Sequence, residues 1–265
     1  MRNIAIGQYY PNESKIHKLD PRTKLLALVL FMVMIFSATN FFAYLVSAAG
    51  LLIAITLSKV PIKFMLKGLR AIFGIIIIIV AMNIFYDAGD NVLFELGFLR
   101  ITSSGLFAAS RMASRLVLLI SASSLLTLST SPTELTDGME YILNPFKKIG
   151  VPAHEITMML TIALRFIPTL MEELDRIRKA QISRGADFDT GGLIKKARAV
   201  IPLLVPLFIS AFRRADELAL AMEARCYRVD AKRTRMKELA FGRADYVFVL
   251  VLIMFLAAAL GMRVL

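Results

Sequence analysis

From Leu25 to Ser58 the chain carries no charged residue. As one helix that stretch would run about 50 Å, well beyond a hydrocarbon core of about 30 Å, so it must turn back on itself. Thr39-Asn40 is the polar pair near its middle and predicts a hairpin of two short spans, Leu25 to Ala38 and Phe41 to Leu57. Composition agrees with a membrane chain: 57% of the 265 residues are hydrophobic and only 20% charged. The polar stretch before Leu25 has no apolar core of the kind a cleavable signal peptide needs.

Three further spans are expected: Ala71 to Tyr86, Leu106 to Leu128 and Tyr246 to Met262. The fourth carries Arg111 and Arg115 one helical turn apart; near one end they can snorkel outward, and Arg115 lies deep enough to predict an interior or interfacial contact. All but four of the 32 basic residues fall in Met1 to Lys24, Lys59 to Arg70 and Pro132 to Arg243; the exceptions are Arg100, Arg111, Arg115 and Arg263. The positive-inside rule then puts those three segments in the cytoplasm, with the loop bearing Asp87, Asp90 and Glu95 outside. On this count the N-terminus is cytoplasmic and the C-terminus external.

Between the fourth and fifth spans, Ile156 to Leu170 and Ala199 to Phe212 are apolar but short and interrupted by Arg165, Pro168, Pro202 and Pro206. Were both to cross, the basic run from Arg176 to Arg198 would lie outside, so they are read as remaining at the cytoplasmic face. Both fit long amphipathic helices: Ile156, Met159, Ala163, Ile167, Leu170, Leu174 and Ile177 recur every three or four residues. The second stripe runs through Ile194, Ile201, Leu204, Phe208, Ala211, Ala215, Leu218 and Met222. A shorter helix starts at Ser131-Pro132, an N-cap followed by proline. The expected fold is an all-α integral membrane protein: 1–130 a membrane domain of four spans, 131–243 a cytoplasmic coupling domain and 244–265 a final transmembrane helix.

Catalytic and metal chemistry find little support. The lone Cys226 and the distant His17 and His154 make no metal cluster, and no G-x-x-x-x-G-K-[ST] phosphate loop is present. Glu172-Glu173 and Asp216-Glu217 are adjacent on helices and diverge. No catalytic residue, metal or cofactor is expected, and sidedness accounts for the basic surplus without nucleic acid.

Each long helix closes on a small residue followed by arginine, Ser183-Arg184-Gly185 and Ala224-Arg225-Cys226. Gly185 can take the left-handed conformation that ends a helix, and an arginine there suits both the negative helix end and a partner's carboxylates. With Leu19-Asp20-Pro21-Arg22-Thr23-Lys24, Ala163 to Leu170 and Gln181 to Phe188, these motifs resemble the transmembrane T component of energy-coupling factor (ECF) transporters, the family that includes CbiQ-type cobalt and nickel permease subunits. The resemblance implies a non-catalytic coupling subunit in the plasma membrane for vitamin or micronutrient uptake. Its partners would be two ABC ATPase subunits (an EcfA-type pair), a substrate-binding S component and the bilayer. By position, Ser183, Arg184 and Gly185 correspond to the first ATPase-docking motif, and Ala224, Arg225 and Cys226 to the second. Cys226 replaces the motif's glycine, so that helix end is expected to be less free to adopt positive φ. Small residues of the second span, Ala43, Ser47, Ala48, Gly50 and Ala54, together with Met159, Ala163, Leu204 and Phe208, are candidates for the surface against the S component. The competing readings are an autonomous permease or channel, and a T subunit dedicated to cobalt or nickel.

Overall fold

A computed structural model describes residues 9–86, 92–96, 99–188, 192–228 and 240–264. In chain order the elements are α1 (Pro21–Ser37), α2 (Phe41–Ser58), α3 (Ile62–Tyr86), β1 (Val92–Leu96), β2 (Leu99–Thr102), α4 (Ser103–Ser129), α5 (Pro132–Leu143), a 3-10 turn (Asn144–Ile149), α6 (Ala153–Ser183), α7 (Leu193–Ala224) and α8 (Arg243–Val264). The fold is helical as expected, apart from one antiparallel hairpin in which Val92 pairs with Thr102 and Leu96 with Leu99. That hairpin occupies part of the expected outer loop; Asp87 and Asp90 lie outside the described residues. α2 and α4 are each long and apolar enough to cross a membrane, and α3 is so as one span bent by 56°.

The chain divides into two compact units, one from Met1–Pro145 with Leu239–Leu265 and the other from Phe146–Glu238. α5 groups with the first unit because it packs on the start of α1. A Cβ at Gly138 would come within 3.0 Å of Leu25 Cδ1 and 3.2 Å of Pro21 Cβ, so glycine permits this close approach. α5 opens as its sequence predicts, with Pro132 in its first turn and a reciprocal capping box between Ser131 and Glu134.

In the first unit α1, α2, α4 and α8 bury a core that includes Phe31, Met34, Ile35, Leu51, Leu125, Leu128 and Ala259. Outward-facing Phe41, Phe73 and Met254 stay bare, the inverse of a water-soluble arrangement and what lipid-facing helices need. Of the two contacts its depth allows, Arg115 makes the interior one. It donates from Nη2 to Tyr44 Oη at 3.1 Å and sits 5.3 Å from the Phe36 ring centroid. Such a capped arginine is a poor candidate for lining an ion path.

The Leu19 to Lys24 motif proves to be a polar clamp. Asp20 caps α1 by accepting from Arg22 N, while its own N–H donates to Asp245 Oδ1 at the start of α8, 2.9 Å away. Buried Lys24 donates from Nζ to the carbonyls of His17 and Ser129, each at 3.0 Å. Arg22 lays its guanidinium over Tyr141 of α5 at 3.9 Å. The first helix, the last helix, the end of α4 and α5 are thereby tied at one point.

Candidate functional site

The second unit is built on α6 and α7, of 31 and 32 residues. Two contacts set their relation. Glu173 Oε2 of α6 accepts from Arg214 Nη2 of α7 at 2.6 Å, and Tyr227, just past α7, donates from Oη to Met158 Sδ near the start of α6. The later α7 residue meets the earlier α6 residue, so the two helices run antiparallel.

Both helices end with one geometry. Arg184 caps α6 at φ −90°, ψ 8°, and Arg225 caps α7 at φ −89°, ψ 12°. The next residue is left-handed in each, Gly185 at φ +86° and Cys226 at φ +55°. The amide of Ala186 reaches Gln181 O at 3.0 Å and that of Gly185 reaches Ile182 O at 2.9 Å. On α7 the amide of Tyr227 reaches Met222 O at 2.9 Å and that of Cys226 reaches Glu223 O at 2.8 Å. These pairs form a Schellman motif at each end. Although it replaces glycine, Cys226 does adopt positive φ, because the paired hydrogen bonds and exposure of its side chain offset the strain of a Cβ there. Ser183 and Ala224 are the last helical residues, and Ser183 Oγ donates back to Lys179 O at 3.1 Å.

Arg184 and Arg225 are exposed, and among the described residues neither guanidinium forms an ion pair. Each sits where its helix presents its negative end, so the two tips offer cations ready for a carboxylate outside this chain. Glu173 and Arg214 each lie eleven positions before the arginine that ends their helix. In an antiparallel pair the two arginines therefore stand about 33 Å apart along the axis, too far for one small ligand.

The remaining candidates separate into two groups. Ala43 and Ser47 are 1% and 0% exposed, Ser47 Oγ donates to Ala43 O at 2.8 Å, and a Cβ on Gly50 would meet Phe255 of α8 at 3.4 Å. Ala48 and Ala54 pack against the same core. The small-residue face of α2 thus seats the chain's own α8, which corrects the expectation of a free sliding surface there. Met159, Ala163, Leu204 and Phe208 are exposed. With Ile201, Val205, Ile209 and Phe212 they leave a broad apolar band on α7 and a narrower one on α6. The residues missed from the sequence were Glu173, Arg214 and Tyr227, whose partners lie forty to seventy positions away and carry no local signal.

A sequence model described as "cobalt transport protein" (CbiQ) matches residues 12–236. The chain is 54% identical over 245 residues to the energy-coupling factor transporter transmembrane protein EcfT of Thermosediminibacter oceani, covering 92% of each chain. It is 54% identical over 248 residues to the protein of that name from Clostridium kluyveri, covering 93% of this chain and 92% of the relative. Against EcfT of Bacillus subtilis it is 44% identical over 263 residues, 99% of both chains. Matched along most of its length, including both arginine-tipped helices, the chain belongs to the cobalt transport protein family and, within it, to the transmembrane proteins of energy-coupling factor transporters.

Proposed function

We propose that the chain couples two partner ATPases to a separate substrate-binding membrane subunit, and that Arg184 and Arg225 are the points at which the ATPases take hold. The observation that carries this reading is the pair of identically capped arginines at opposite ends of an antiparallel helix pair. Two distant and equivalent cationic tips suit two similar subunits, each offering an acidic groove. When nucleotide binding draws those subunits together, the tips are displaced and the rigid helices carry the displacement as levers. The bare apolar band of Leu204 and Phe208 on α7, with Met159 and Ala163 on α6, is the surface offered to the substrate-binding subunit.

Topology follows from charge. α1, α2, bent α3, α4 and α8 make five crossings of the plasma membrane, with the N-terminus and the α6–α7 segment cytoplasmic and the C-terminus outside. Residues 1–130 act as the membrane domain, 131–243 as the coupling domain and 244–265 as the closing span. The chain hydrolyses nothing itself.

Replacing both Arg184 and Arg225 by alanine tests the reading. Truncating a desolvated, carboxylate-bound arginine costs about 2 to 5 kcal/mol, so the double variant should reach the membrane yet lose its ATPases on purification and lose uptake. Copurification of both ATPases at the wild-type ratio, with uptake intact, refutes it.

A further inference from the structure

In the first unit α1, the second half of α2, the end of α4 and the first half of α8 enclose a cavity of about 460 Å³. Its wall is apolar along nearly its whole depth, from Leu57 and Val247 at one end to Met34 and Phe255 at the other. One water needs only about 10–15 Å³ but also two to four polar partners, so this space is suited to hydrocarbon. Measured along α8 from Arg243 to Phe255 the groove is about 18 Å deep, close to one leaflet of a hydrocarbon core about 30 Å thick. Ile53, Leu57, Val247 and Val251 in its wall are 40–62% exposed, so it opens sideways.

Every charge in that wall is positive and sits at one end: Lys15, Lys24 and Arg243, with no carboxylate. A second cavity of about 270 Å³ shares Lys15 and Leu57 with the first and adds Lys18 and Lys59. Its one carboxylate, Glu13, lies 3.9 Å from Lys18. Lys15 and Arg243 are exposed and among the described residues form no ion pair.

We propose that these two cavities form a single binding site for an anionic phospholipid, with one acyl chain in the groove and the phosphate held by Lys15 and Arg243. Depth of one leaflet, apolar walls, a lateral opening and, at the mouth, cations without an ion pair among the described residues are together the shape and charge of a monolayer lipid. Lys24 lends its charge from behind while two of its protons stay on backbone carbonyls.

The test is native mass spectrometry of the full chain in a mild detergent, titrated with phosphatidylglycerol or phosphatidylcholine. Wild type should retain one phosphatidylglycerol at least about tenfold more tightly than phosphatidylcholine. Lys15→Gln with Arg243→Gln, both exposed positions, should erase that preference while leaving the melting temperature without lipid unchanged. Ala54→Phe, which fills the groove, should weaken both lipids. Equal retention of the two lipids by wild type, an undiminished preference in the double variant, or a partner polypeptide captured by a photocrosslinker at position 251 in membranes overturns the proposal.

Discussion

Glu173 and Arg214 meet at 2.6 Å, and each stands eleven residues before the arginine that ends its helix. The ion pair therefore marks the midpoint between the two tips. Both side chains are partly exposed, 23% for Glu173 and 32% for Arg214, so solvent screens the pair and its net worth is about 1 kcal/mol. Glu173→Gln, Arg214→Gln and the double variant should give a coupling energy of that size in a thermal-unfolding cycle, with both single variants still binding ATPases. A coupling energy of zero would remove the pair from the account.

Cys226 holds a left-handed conformation that glycine adopts without strain. Cys226→Gly should leave Arg225 where it is and stabilise the helix end by up to about 1 kcal/mol. Cys226→Val, β-branched, should destabilise it instead. Chemical denaturation of the three proteins decides the matter: if valine and glycine variants have equal stability, the backbone strain inferred at this cap is absent.

Lys24 is 5% exposed and holds the carbonyls of His17 and Ser129. Lys24→Met keeps the volume but strands both carbonyls and removes a positive charge near Glu134, Asp245 and Asp20, of which Asp20 keeps Arg22 at 4.0 Å. A loss of about 2 to 4 kcal/mol is expected, since a buried acceptor costs about 1–3 kcal/mol when unsatisfied. A melting temperature within a degree of wild type would show that water replaces the ammonium and that the clamp is not structural.

His17 makes the fold sensitive to acid. Its Nε2 lies 3.0 Å from Tyr10 O, which can only accept, so that nitrogen carries the proton and Nδ1, 2.6 Å from Ser14 Oγ, accepts from the hydroxyl. Burial, and secondarily the charge of Lys24, hold the imidazole below its ordinary 6.5. On acidification the unfolded chain therefore takes up a proton before the folded one does. The stability held by neutral His17 is whole above about pH 6.5 and declines below it until the folded imidazole also protonates. His17→Gln should flatten the melting temperature through that window; an unchanged slope would place the acid sensitivity elsewhere.

The apolar helices and both arginine-tipped helix ends were legible because each rests on a local pattern: an uncharged run, or a small residue beside arginine at the end of an apolar stripe. Contacts between distant segments were not. Nothing around Asp245 announces that it will accept from the amide of Asp20, and Leu19 to Lys24 looks like a loop ahead of a span until Lys24 is seen to reach Ser129. The small residues of α2 misled for a related reason: close approach is a property of glycine and alanine, and the pattern is silent on whether the approaching helix belongs to another chain or, as with Phe255, to this one. The hairpin of Val92–Leu96 and Leu99–Thr102 escaped because strands of five and four residues between two membrane helices leave too short a period to register.

The antiparallel course of α6 and α7 makes the most direct prediction about the candidate site. Two spin labels, at Ser183 and Ala224, with Cys226→Gly removing the native thiol, report the separation of the tips without any partner. The chain rises about 1.5 Å per helical residue, so labels on opposite sides of the Glu173–Arg214 contact should lie about 30 to 35 Å apart. Helices packed side by side and pointing the same way would bring them within about 10 Å, the ordinary interaxial distance. The short distance would put both arginines on one partner and end the argument for two separate grips. The long one, shortening when ATPases and nucleotide are added, is what a lever pulled at both ends requires.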